Sequence, residues 1–332
     1  MSSVTILVSV KNKEATIGEC LRSLVETDYP DKKILCIDNM STDNSFAILR
    51  KFEDQVELHQ VAGGLSRVFN WALDRIDTDY VAFTDADCVV DRDWLKELLR
   101  PFEEEPDIIA TAGYCGTPEG LSPLQTMIGL ELEDRFKKFP RYLSRAPTMN
   151  LCVKTEVARR VKFDEQQMVA VEVDFGYRLT SLGKMLYTPK ARVLHYHRGT
   201  WRSYFHQQKE QVKWNCRVLL KHGRKALGDH ISTPMMIIQI PLFMVGAGFL
   251  LLSGIERWFL IPAAVLLVIL VGIYLKNASE LVPFGRQYIR LLGMFTFRTF
   301  AWTVGVIEAV VHFSREFALH LLRRHAVDRR GG

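Results

Sequence analysis

The sequence predicts an α/β fold, a mostly parallel Rossmann-like sheet, followed by apolar helices suited to a membrane. Three observations carry that expectation. From residue 4 to about residue 194, short β-rich runs alternate with amphipathic helical stretches, the pattern of strands joined by crossover helices. Two runs without charge, Pro234–Leu252 and 258–275, are each about long enough to cross a bilayer. Acidic residues recur where strands should end, above all in FTDADCVVDRDWL, residues 83–95. With 332 residues and 48% of them apolar, the chain can build one large domain or two ordinary ones, which excludes a disordered or low-complexity protein.

The elements follow in order. Val4–Val10 is too short for a signal-peptide core and has no basic stretch before it, so it reads as a first buried strand. Ile17–Val25 places Ile17, Cys20, Leu21 and Leu24 on one helical face. A strand over 33–37 leads to a helix over 45–52 carrying Phe46, Leu49 and Phe52 inward. Strand 56–60, helix 66–76, strand 80–83 and strand 108–112 complete the readable part.

The net charge of +5 is modest, and the basic residues flank the apolar runs instead of forming a nucleic-acid-binding tract. Membrane lipids, and no nucleic acid, are therefore the expected partners. Lys213, Arg217, Lys221, Arg224 and Lys225 precede the first span; Lys276, Arg286 and Arg290 follow the second; Arg323, Arg324, Arg329 and Arg330 come near the end. A third apolar stretch, 291–313, contains Arg298 and Glu308, which are expensive at mid-bilayer, so it is expected to lie in the interface or pack on the hairpin. Two crossings then keep every basic cluster, the catalytic domain and both termini on the cytoplasmic side of a multi-pass cell-membrane protein. Just before the spans, Trp201, Tyr204, Phe205 and Trp214 are interleaved with Arg and Lys, the composition of an interfacial helix or of a domain edge. The organisation expected is 1–198, 199–232 as an amphipathic segment, and 233–332 in the membrane. Six cysteines without a CxxC pair point to reduced thiols, not to zinc or a disulfide framework.

Asp85 and Asp87 fall at a strand end, where open sheets bind ligands. Two hard oxygen donors on one side suit Mg²⁺ or Mn²⁺ holding a diphosphate, although such a pair alone also reads as a helix cap. Other motifs accompany it: SVKNKE at 9–14, IDNMSTD at 37–43, GGLSRVFN at 63–70, VEVDFGYRL at 171–179 and HYHR at 195–198. In this order they resemble the inverting family 2 glycosyltransferases of the GT-A fold, over roughly the first 200 residues.

The resemblance implies roles. Ser9, Asn12 and Glu14 would line the nucleotide site, Asp38 would bond the base, and Gly64 and Asn70 would pass the sugar phosphate. Asp43 has the simpler job of capping a helix. Asp85 and Asp87 would hold Mn²⁺ or Mg²⁺ on the diphosphate of a nucleotide-sugar donor. Glu172 aligns with the catalytic base, with Asp174 as the alternative; Val171 stands where the family commonly has an acid. His195 would add a metal ligand, while His197 and Arg198 could contact phosphate or acceptor oxygens. The stretch EQVKW at 210–214 keeps only Trp214 and a cation of the polysaccharide synthases' QxxRW pattern, so a single-sugar transferase is expected. The acceptor implied is a lipid-linked saccharide, the alternative a polyprenyl phosphate. A catalytically inactive nucleotide-binding scaffold is opposed by the intact acids, and a dinucleotide oxidoreductase by the absence of GxGxxG after the first strand.

Overall fold

The computed structural model describes residues 2–314, so the basic residues Arg323 to Arg330 and the expected side of the C-terminus lie outside the described residues. The chain divides into two compact units, one of Met1–Leu121 with Ile128–His197, the other of Ser122–Met127 with Arg198–Gly332.

The first unit is built on a nine-stranded sheet: β1 (Val4–Val10), β2 (Lys32–Asp38), β3 (Glu57–Gln60), β4 (Tyr80–Asp85), β5 (Cys88–Val90), β6 (Ile108–Gly116), β7 (Tyr142–Leu143), β8 (Leu151–Lys154) and β9 (Lys184–His195). Strand order is β3-β2-β1-β4-β8-β6-β9-β5, with β7 paired to β9. Helices α1 (Ile17–Val25), α2 (Ser45–Leu49), α3 (Leu65–Leu73), α4 (Trp94–Glu104), α5 (Pro123–Lys137), α6 (Thr155–Val161) and α7 (Val171–Leu179) connect them. The expected helix over 45–52 is a short α-helix continued by a 3₁₀ turn, Arg50–Phe52.

The sheet is mixed, and most of its paired register is parallel, as expected. Pairs β1–β2, β1–β4, β2–β3 and β6–β9 are parallel; β4–β8, β5–β9, β6–β8 and β7–β9 are antiparallel. Strands β1, β2 and β4 are covered on both faces, so they read as continuous apolar runs. One face packs Ile6, Val8, Ile17, Leu21, Trp94 and Leu98; the other packs Leu7, Val68, Phe69, Phe83 and Phe175. Phe163 and Phe175 stack with ring centroids 4.0 Å apart. The register sets Ser9 beside both Ile37 and Asp85, and Val10 beside Asp38, so the acid-bearing ends of β1, β2 and β4 lie level.

The second unit contains α8 (Trp201–His222), α9 (Pro234–Ile237), α10 (Gln239–Leu252), α11 (Leu260–Leu281) and α12 (Arg286–His312). Three helical stretches are long and apolar enough to cross a membrane: Pro234–Leu252, Arg257–Leu281 and Arg286–His312, with mean hydropathies of 2.2, 2.6 and 1.3. Leu251, Val268 and Ile261 are exposed at 82, 70 and 69%, a surface that suits lipid better than water. The third stretch qualifies by length and composition alone, and its two charges pack against neighbouring side chains. Arg298 is buried with its guanidinium 4.4 Å from the Trp302 ring centre and 5.0 Å from that of Phe295. Glu308 accepts a 2.6 Å hydrogen bond from Lys209 Nζ on α8.

Helices α8 and α12 lie parallel. Trp201 meets Phe297, Gln208 accepts from Trp302 Nε1 at 3.0 Å, and Trp214 meets Phe313. Gly305 allows the approach, since a Cβ there would fall 2.4 Å from the Lys209 carbonyl oxygen. The middle of α12 meets the other two apolar helices: Thr299 donates to Gln239 at the start of α10 and accepts from Tyr274, two turns before the end of α11.

Candidate active site

The loops after β1 and β2 are laced together by their own polar groups. Asn12, held at φ +52°, accepts from Thr42 N at 2.8 Å through Oδ1, and its N–H donates to Ser41 Oγ at 3.0 Å. Glu14 accepts from Asn44 N and Nδ2 at 3.0 and 2.8 Å. Asp43 precedes Asn44, the N-cap of α2, and accepts from Ser45 N and Glu14 N; although desolvation opposes it, these donors hold its carboxyl below the usual range. Asp38 is fully buried and accepts from Ser41 N and from Gln60 Nε2, the latter at 2.9 Å. Ser9, Asn12, Glu14 and Asp38 are therefore gathered at one sheet end, with Asn12, Glu14 and Asp38 also tying the loops together.

The β4 end is different. Asp85 closes the strand, Asp87 follows in a turn, and β5 returns against β9 so that Cys88 pairs with His195. Asp87 is 8% exposed; Lys13 Nζ donates to its Oδ2, and His195 Nε2 lies 3.4 Å from its Oδ1. Burial first, then the charge of Asp87, pushes Asp85 up to about 6, with Glu172 adding to the rise. Against its own desolvation, His195 and Lys13 hold Asp87 well below the usual carboxylate range.

A divalent ion fits this donor set. The ligand atoms of Asp87, Cys88 and His195 lie within 4.8 Å of one another. The Cys88 thiol is pushed well up by burial and by both aspartates, which leaves carboxylate and imidazole as the usable donors. His195 Nδ1 is buried without a hydrogen bond. His197 is also buried, 3.0 Å from Thr117 Oγ1, and desolvation followed by His195 lowers its value to about 3.

Helix α7 starts after Ala170, whose φ is +56°. Its two acids differ. Asp174 is 1% exposed and accepts from Arg178 Nε at 2.8 Å, while the same guanidinium donates to the carbonyls of Val161 and Lys162. Glu172 is raised by desolvation, and Arg145 lowers it only in part. Asn70 is buried and clamps the segment before α7, accepting from Phe163 N at 2.7 Å and donating to Phe163 O at 2.9 Å. Gly64 abuts that segment, where a Cβ would come 3.3 Å from Met168 Cε. These contacts give Asn70 a scaffolding job. Arg198 and Trp214 belong to the second unit, Arg198 exposed and Trp214 buried against His312 and Phe313.

Sequence reasoning missed Lys13 and Arg145. Lys13 had a signal: it lies in SVKNKE, the turn after the first strand. Arg145 had none, since nothing local ties it to Glu172.

Residues 5–167 match the family model described as glycosyl transferase family 2. The glycosyltransferase GlyA of Streptococcus pneumoniae is 29% identical over 115 residues, 33% of this chain and 16% of its own length. The poly-beta-1,6-N-acetyl-D-glucosamine synthase of Staphylococcus epidermidis is 26% identical over 117 residues, 34% of this chain and 28% of its own. The match thus spans less than a third of these curated relatives. The mannosyltransferase PcManGT from Pyrobaculum calidifontis, solved with GDP-Man and Mn²⁺, superposes with a TM-score of 0.55 at 18% identity, covering 94% of this chain and 86% of that one. Sequence match and superposition agree: residues 5–167 are a domain of glycosyl transferase family 2, and the fold is the GT-A fold.

Proposed function

We propose that the chain is a metal-dependent inverting glycosyltransferase that moves one sugar from a nucleotide-diphosphate sugar to a lipid-linked saccharide at the cytosolic face of a membrane. The observation that carries this reading is the grouping of Asp85, Asp87 and His195 with a desolvated Glu172 whose charge acts on Asp85. Asp85, Asp87 and His195 would hold Mn²⁺ or Mg²⁺ against the donor diphosphate. A bound divalent ion supplies a Lewis acid that neutralises charge on the leaving group.

Glu172 takes the proton from the acceptor hydroxyl as that oxygen attacks the anomeric carbon, and the bond from this carbon to the diphosphate oxygen breaks from the opposite side. The nucleoside diphosphate leaves with the electron pair, and the proton ends on Glu172. Burial raises the proton affinity of Glu172, which suits a base. A phosphate acceptor arrives ionised and needs no base, so a desolvated Glu172 favours a sugar hydroxyl over a polyprenyl phosphate.

Residues 1–198 form the catalytic part in this reading, 199–232 the interfacial part and 233–332 the membrane part. Helices α10 and α11 cross as a hairpin. Helix α12 lies in the interface beside α8, because it carries Arg298 and Glu308 and runs along a helix too charged to cross. The basic residues Lys213 to Lys225 mark that side as cytoplasmic.

Membranes holding the full chain, given a panel of radiolabelled sugar nucleotides with Mn²⁺, should pass label into the lipid fraction, and EDTA should stop it. Label that mild acid releases as a free monosaccharide supports a polyprenyl phosphate, whereas label carried in a larger saccharide supports a saccharide acceptor. Transfer that survives EDTA would remove the metal from the reading.

A further inference from the structure

Lys13 is fixed at its backbone and directed at the metal-binding acids. Its N–H donates to Ser45 Oγ at 2.6 Å, and its carbonyl accepts from Thr16 N and Ile17 N at 3.0 and 2.9 Å, where α1 begins. From that base the ammonium reaches Asp87 Oδ2, while His195 faces Oδ1. Both oxygens of the more deeply buried acid are thus engaged. The two partners are not equivalent. An imidazole can remain as a ligand beside a divalent ion, but an ammonium has no lone pair and repels it at contact distance. Its charge also reaches Asp85, whose carboxyl it lowers. The Lys13 side chain keeps 23% of its exposure, so it has room to leave.

We propose that Lys13 is an internal counter-cation of the Asp85/Asp87 pair that a divalent ion must displace, and that the released ammonium then binds the donor diphosphate. This rests on the metal-dependent donor site proposed above. Its consequence is coupling. Without a diphosphate, Lys13 competes with the metal; with one, the ammonium has a second anion to bind, so metal and donor favour each other's binding. Lys13 is a binding and positioning residue in this account, since it touches the diphosphate and takes no proton.

The test is metal binding by the full chain in detergent, without turnover. Mn²⁺ titrations followed by electron paramagnetic resonance should show Lys13→Gln binding at least tenfold more tightly than the natural chain. Lys13→Arg, which keeps the charge, should bind as weakly as the natural chain. With Mn²⁺ saturating, inorganic pyrophosphate should bind Lys13→Gln about tenfold more weakly. Equal or weaker Mn²⁺ binding by Lys13→Gln, with binding lost in Asp87→Asn, overturns the role of Lys13 and leaves the metal site standing. Undiminished Mn²⁺ binding in Asp87→Asn overturns both.

Discussion

Two ends of neighbouring strands carry acids, at β2 and at β4, and the protein neutralises them in different ways. At the β2 end the donors are backbone N–H groups joined by one side-chain amide from β3: Ser41 N and Gln60 Nε2 for Asp38, Ser45 N and Glu14 N for Asp43. At the β4 end the neighbours of Asp87 are the side chains of a lysine and a histidine, and Asp85 is desolvated beside a second acid. Backbone donors cannot leave, so they turn an acid into a structural staple. A side-chain cation can be exchanged for another cation, so it leaves an acid available for chemistry. The same division recurs on α7, where Asp174 is bound by Arg178 and Glu172 is desolvated and only partly compensated.

The largest effect should come from testing that division on α7. Glu172→Gln should lower the transfer rate by about 10²–10⁴-fold, the usual worth of a positioned base, and leave the melting temperature nearly unchanged. Asp174→Asn should do the reverse. It removes the carboxylate from the partly buried Arg178 guanidinium and costs about 1–3 kcal/mol, lowering the melting temperature by roughly 5 °C. Transfer assays beside thermal melts of both variants separate the two roles, and equal rate losses at equal stability would break the comparison.

A pH titration gives the next effect. The Asp85 carboxyl sits near 6 in the folded chain, above its usual 3.8. A raised acid favours folding in its protonated form, so this contribution is full below about pH 4 and is lost as pH rises through about 6. A divalent ion needs the ionised pair, so the sign for metal binding is opposite. Mn²⁺ affinity should be about tenfold weaker at pH 5 than at pH 7. Titrations at both values check this; a flat profile would mean that Asp85 does not take part.

The same contrast explains what was legible in the sequence. Strands β1, β2 and β4 are buried on both faces, and their unbroken apolar runs put Asp38, Asp85 and Asp87 at strand ends before any coordinates were needed. Strand β9 is half-exposed and interrupted by Pro189, Lys190 and Arg192, and β8 has four residues, so the antiparallel half of the sheet left no periodic signal. Arg298 and Glu308 read as obstacles to a membrane because their partners, Trp302 and Lys209, are known only from packing. Neutralisation was invisible for the same reason: Lys13 stands 74 residues from Asp87 in the chain.

Asp38 is where the comparison predicts the smallest effect and the sharpest distinction. Its carboxylate has no exposed surface and is already used by Ser41 N and Gln60 Nε2. Asparagine keeps one acceptor oxygen at that site and replaces the other with an amide donor that faces donors, so Asp38→Asn should destabilise by about 1–3 kcal/mol. A staple acts on the nucleotide only through the shape of the loops, which predicts a loss of nucleotide affinity of a few-fold. A residue that bonds the base directly loses far more when its acceptor becomes a donor, because a buried polar edge of the ligand is then left unpaired. Binding isotherms for UDP and GDP, measured well below the melting temperature of the variant, separate these cases. A loss of a hundredfold or more for one nucleotide would place Asp38 among the exchangeable acids, with its loop donors released when the nucleotide binds.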